Sequence, residues 1–168
     1  MTMTLVETIE VGSGGATSIE FTSIPQDGTD LLLLLSSRAT VSNASQMRMQ
    51  FSGVTTGYDF QYLRGSGTAA LANTTTGTSY GLVGFVSNST STANTFTNAA
   101  IRIPNYTSSA NKYYSAEIIS ENNAAEAWQT LTAGVMNDTT AISSILLFTN
   151  LGDFAQYSTA SLYKITAA

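Results

Sequence analysis

Glu117, Glu121 and Glu126 fall around one expected turn, and two carboxylates flanking a sugar are the equipment for glycoside hydrolysis. Tyrosines could stack on the rings of such a substrate. No groove-building repeat surrounds these acids, so they read as solvated turn carboxylates. Asp27 with Asp30, and Asp138 with Asp153, offer oxygens to calcium, which takes about six to eight of them. Neither pair lies in a dense Asp/Asn/Gly loop, so no metal is expected. The glycine-rich stretches lack the Lys-Ser/Thr of a phosphate loop and read as turns. Asn-x-Ser/Thr triplets begin at Asn43, Asn73, Asn88, Asn105 and Asn137. A chain with 26 Thr and 21 Ser produces such triplets by chance.

The commoner catalytic groups are missing from the composition. The chain has no histidine and no cysteine. Histidine is the usual proton carrier near neutral pH, and His and Cys are the usual zinc ligands. No enzyme activity and no cofactor are expected. Charged residues make up 10% of the 168, against about a quarter in ordinary domains. Hydrophobic residues reach 43% and mean hydropathy is +0.08, so the chain reads as folded, with a neutral, hydroxyl-rich exterior.

Charge excludes two partner classes. Net charge is −5, and the six basic residues are scattered between Arg38 and Lys164. Nucleic-acid binding needs clustered Lys and Arg to displace counterions, and anionic membranes need the same. Neither partner is expected. The run Leu31-Leu32-Leu33-Leu34-Leu35 is far shorter than the roughly 20 residues that span a bilayer. Residues 1–7 lack the basic and long apolar regions of a secretion signal, and the absence of Cys fits a reducing cytosol.

The elements that would position any site are strands. Apolar residues recur with period two along most of the chain. Leu5, Glu7, Ile9 and Val11 share one face of a first strand, and Ile19 and Phe21 one face of a second. Asp30–Ser37 is apolar on both faces, which predicts a central strand covered on both sides. Further strands are expected around Met47–Phe51, Tyr58–Tyr62, Ser79–Val86, Ala99–Ile103, Lys112–Ser120, Ala127–Met136, Ala141–Thr149 and Ser161–Ile165. One helical turn is expected at 122–128, and long loops at 39–46 and 87–95. About ten strands with glycine-rich turns predict a single all-β domain over 1–168, an antiparallel sandwich of jelly-roll type. Residues 1–11 are its first strand or an arm reaching a neighbour. The expected core comprises Phe21, Leu33, Phe51, Ile101, Trp128, Leu146, Phe154 and Leu162. Tyr58, Tyr62, Tyr106, Tyr113 and Tyr114 are the candidate interface, since tyrosine is enriched in binding hot spots.

Three passages occur in a suggestive order. Ile19-Glu20-Phe21-Thr22-Ser23-Ile24-Pro25 precedes Asp30-Leu31-Leu32-Leu33. Phe51-Ser52-Gly53 and Tyr58 precede Leu63-Arg64-Gly65-Ser66-Gly67. Trp128 precedes Ala141-Ile142-Ser143-Ser144-Ile145, Gly152-Asp153-Phe154-Ala155 and Ser161-Leu162-Tyr163-Lys164-Ile165. This order resembles small virion structural proteins of tailed bacteriophages, notably aquatic and cyanobacterial phages. The resemblance spans most of the chain. It implies a jelly-roll decoration (cement) protein on the outer capsid surface, made in the host cytoplasm, with no catalytic residues. The implied partners are the major capsid protein and further copies of the chain, as a trimer or alternatively a dimer. The competing expectations are a receptor- or glycan-binding fibre module and, third, a trimeric jelly roll of the tumour-necrosis-factor type.

Overall fold

The structure, a computed structural model, describes residues 1–121 and 127–167. These form twelve strands: β1 Thr2–Glu10, β2 Ser18–Phe21, β3 Asp30–Ser37, β4 Ser45–Phe51, β5 Tyr58–Ser66, β6 Ala69–Thr78, β7 Gly81–Val86, β8 Thr97–Ile103, β9 Lys112–Glu121, β10 Ala127–Met136, β11 Ile145–Thr149 and β12 Thr159–Thr166. Every strand pair is antiparallel. One sheet has eight strands in the order β1-β12-β3-β8-β9-β10-β5-β6, and the other four in the order β2-β11-β4-β7. The fold is an all-β antiparallel sandwich. The expected turn at 122–128 lies, for residues 122–126, outside the described residues, and Trp128 belongs to β10.

Alternation explains most of this. Leu31, Leu33 and Leu35 point inward from β3, as do Met47, Met49 and Phe51 from β4 and Leu162 from β12, and all are buried. Phe21, Ile101, Ile145, Leu147 and Phe154 complete the contact between the sheets. Strand β6 is the element that alternation does not announce. It is an edge strand with mostly exposed residues on both faces, so it needs no apolar period. Its hairpin with β5 closes through Gly67-Thr68, and Gly67 adopts φ 55°, the left-handed backbone that a two-residue turn demands.

Four expectations change. Leu32 and Leu34 face outward, and Leu34 is 40% exposed, so β3 is central but covered on one face only. A bulge between Leu5 and Glu7 puts Leu5 opposite Tyr163 and Glu7 opposite Leu162, so Leu5 and Glu7 do not share a face. Leu146 pairs with Glu20 and Gln50 on the outer face of the small sheet and is only half-buried. Trp128 faces inward near the start of β10 and is half-buried, stacked beside the Arg64 guanidinium rather than in the core.

Leu33→Ala is therefore expected to cost about 2–5 kcal/mol, the range for emptying a well-packed leucine site. Trp128→Ala is expected to cost less. Urea unfolding of both variants checks this, and an equal or larger loss for Trp128→Ala would contradict the burial difference.

Loops are tied down by specific groups. The Arg38 guanidinium donates to the carbonyls of Ser91, Thr92 and Thr95 at 2.8–2.9 Å, which organises the long 87–95 loop. Lys112 is fully buried, and its ammonium donates to the carbonyls of Ser108, Ala110 and Thr139 at 2.6–3.2 Å. Burial pulls the Lys112 pKa down, while Asp138 opposes that shift.

Candidate binding surface

The five tyrosines do not form one surface. Tyr58, Tyr106 and Tyr114 are buried, Tyr62 is half-buried, and Tyr113 is 57% exposed. Parity is the reason: Tyr58 and Tyr114 sit at inward positions of β5 and β9, and Tyr113 at the adjacent outward one. Each buried hydroxyl ties down backbone. Tyr58 accepts from the Phe51 amide at 2.8 Å and donates to the Val54 carbonyl at 3.1 Å, closing the β4–β5 connection. Tyr106 accepts from the Gly28 amide and donates to the Pro25 carbonyl. Tyr114 donates to the Leu82 carbonyl at 3.0 Å. Burial pushes the Tyr58 hydroxyl up to about 12 and raises those of Tyr114 and Tyr106.

Tyr114 spans the gap between the sheets because two glycines make room. A Cβ at Gly81 would lie 2.9 Å from the Tyr114 hydroxyl oxygen, and one at Gly134 would collide with the ring itself. Phe51 meets the same ring edge-on at 6.2 Å. Nearby, the Arg64 guanidinium carbon lies 4.7 Å from the centre of the Phe85 ring and 5.1 Å from that of Trp128. Arg48 stacks on Tyr80 at 3.8 Å.

The acids seen in the sequence go separate ways. Asp27 accepts from the Lys164 ammonium at 2.6 Å, and that hydrogen bond lowers the Asp27 pKa. Asp30 accepts from the Asn105 amide. Asp138 accepts from the Thr140 amide at 2.7 Å, and its pKa is lowered by hydrogen bonding from Thr140. Glu117 lies exposed on β9, where it accepts from the Gln129 amide at 3.3 Å. Glu126 and the side chain of Glu121 lie outside the described residues. Among the described residues no group of three or more His, Cys, Asp or Glu side chains could hold a metal ion. No described helix is long and apolar enough to cross a membrane.

The outer face of the eight-stranded sheet carries what the sequence reading missed. At the β1-β12-β3 end, Met3, Leu5, Tyr163, Ile165, Leu32 and Leu34 are neighbours in register. Met3 is 57% and Leu5 51% exposed. At the other end the face is hollow. Thr74, Gln61, Ala133, Ser115 and Arg102 form one outward row across β6, β5, β10, β9 and β8. Ala72, Leu63, Leu131, Glu117 and Ala100 form the next. Small side chains at 72, 133 and 115 leave a hollow of about 610 Å³ beside Leu63 and Leu131. One sequence signal was present: β5 carries Phe60 and Tyr62 on one face but Leu63 on the other, more apolar residues than a half-buried strand needs. Compared with known proteins, the chain matches no protein-family model and no curated protein sequence.

Proposed function

We propose that the chain is a non-catalytic virion structural protein, a decoration protein of a tailed bacteriophage. In this reading it binds the outer surface of a major capsid protein lattice and bridges neighbouring capsomers. The supporting observation is the uncovered apolar patch formed by Met3, Leu5, Leu32, Leu34, Tyr163 and Ile165. Contiguous exposed apolar surface on a folded domain marks a contact site. The patch is bordered by Asp30 opposite Ile165, Arg102 opposite Leu32 and Ser161 opposite Leu34, a polar rim around an apolar centre that suits a wet interface. Repetition over a shell would turn weak contacts into strong retention.

Strand pairing supports the jelly-roll reading. The pairs β1–β12, β2–β11, β3–β8 and β4–β7 are nested, and β12 also pairs with β3 and β11 with β4. This is the order of a wound ribbon, with the hairpins β5–β6 and β9–β10 inserted and added to one sheet. The partners in this reading are the major capsid protein and further copies, as a trimer or alternatively a dimer. Strand β1 pairs with β12 of the same chain, which places its free edge beside the patch.

A second reading, a receptor- or glycan-binding module of a tail or head fibre, is supported by the hollow around Leu63 and Leu131. Antibody labelling of purified virions separates the two. Many copies spread over the head are expected for decoration. A few copies at the tail or a vertex would replace that reading with the fibre module. Absence from the particle would overturn both.

A further inference from the structure

We propose that the hollow on the outer face of β5, β6, β9 and β10 is a binding site for a neutral oligosaccharide. This deepens the glycan-binding reading of the same hollow and rests on it. The test below is made in solution and does not depend on where a particle carries the chain. Two smaller hollows, of about 330 and 290 Å³, adjoin the central 610 Å³ one and share Leu63 and Leu131, or Gln61 and Ala133, with it. Together they make a trough along β5 and β10 from Gln129 to Val135, about 20 Å at the rise of an antiparallel strand. The central hollow alone falls in the range of small-ligand sites, about 300–1,000 Å³.

The lining chemistry selects the ligand class. Leu63 and Leu131, 60% and 46% exposed, give the trough an apolar floor. Gln61 and Gln129 flank the leucines along β5 and β10, and Ser115, Glu117 and Arg102 stand along the β9–β8 side, with Gln129 donating to Glu117. Among the described residues, no protein group hydrogen-bonds the side chains of Gln61, Ser115 or Arg102. Amide, guanidinium, hydroxyl and carboxylate groups thus offer donors and acceptors around an apolar strip. A pyranose chain matches both features, with C–H faces for the leucines and hydroxyls for the polar rim. A purely apolar ligand would desolvate the rim without replacing its hydrogen bonds.

Charge argues against anionic glycans. Arg102 and Glu117 cancel, and Asp59 adds a negative group at the Tyr113 end. An extended peptide has better sites on this molecule, because the sheet edges β1 and β6 offer unpaired backbone groups.

The test is an amide NMR titration of the isotopically labelled protein with cellohexaose, maltohexaose and N-acetylchitohexaose in turn. At least one probe is expected to shift signals of β5, β9 and β10, Leu63, Ser115 and Leu131 among them, with a Kd of about 1 mM or tighter. The double variant Gln61→Ala, Arg102→Ala is expected to weaken binding at least about tenfold with an unchanged Tm, because both side chains are exposed. Glu20→Gln, on the other sheet, is expected to leave binding intact. The proposal is overturned if no probe shifts any signal at about 10 mM, if the shifts lie away from the trough, or if only a sulfated heparin hexasaccharide binds.

Discussion

Gly134→Val is expected to lower stability by about 3 kcal/mol or more, a large share of what holds a domain of this size together. The cause is one ring. Gly134 lies on the inward face of β10, directly opposite Tyr114 in register, and the ring occupies the space a Cβ would need. The ring is enclosed elsewhere by Gly81 and Phe51, and its hydroxyl is held by the Leu82 carbonyl. It cannot swing away without losing that bond and opening a void between the sheets. Gly134→Ala is expected to show the same sign with a smaller loss, since reduced freedom of the unfolded chain offsets part of it. Adding Tyr114→Leu to Gly134→Ala is expected to cost less than the sum of the two single changes. Urea unfolding of the four proteins checks this. Additive losses would show that ring and glycine do not share one space.

Alkali is expected to destabilise the protein above about pH 10, where the phenols of an unfolded chain ionise. The tyrosines 58, 106 and 114 are buried, and burial raises each hydroxyl pKa above its value of about 10 in an unfolded chain. A group whose folded pKa is raised contributes stability that is complete below the unfolded pKa. That stability is lost as pH climbs through the folded one. For Tyr58 the loss runs from about 10 to about 12. Lys112 acts with the opposite sign, because a lowered folded pKa favours the fold as its proton leaves. It is one group against three. On the acid side Asp27 and Asp138 have lowered pKa values, so their stabilisation is lost as pH falls through them. With no histidine between, the urea midpoint is expected to be flat from about pH 5 to about pH 9 and to fall above about pH 10. Tyr58→Phe should move the alkaline fall upward while weakening the fold at neutral pH, because the Phe51 amide loses its acceptor. An unchanged midpoint at about pH 11 would refute the role given to these hydroxyls.

Strand parity made much of the fold legible from sequence. Met47, Met49 and Phe51 alternate with polar neighbours and are buried as expected. Tyr113 and Tyr114 are adjacent and chemically identical, and the rest of β9 sorts them: Ala116 and Ile118 continue the buried face, Ser115 and Glu117 the exposed one, while Gly81 and Gly134 make room for the inward ring. The leucine run, by contrast, misled. Its outward half is uncovered in this chain, and an apolar residue awaiting a partner reads the same as one already buried. The trough was not legible, because Thr74, Gln61, Ala133, Ser115 and Arg102 come from five strands and meet only through registers the sequence does not encode locally.

The nesting of the strands also orders events during synthesis. Strand β12 fills the place between β1 and β3, pairing Thr2 with Thr166 and Leu33 with Leu162. Until the last strand leaves the ribosome, β1 has no neighbour and the inward leucines of β3 lie along an open edge. Pairing across nearly the whole chain is slow to form, and an unpaired apolar edge invites other nascent chains. The wait is a period of vulnerability in which high-level expression would favour inclusion bodies, and slower translation or holdase chaperones would raise the soluble yield.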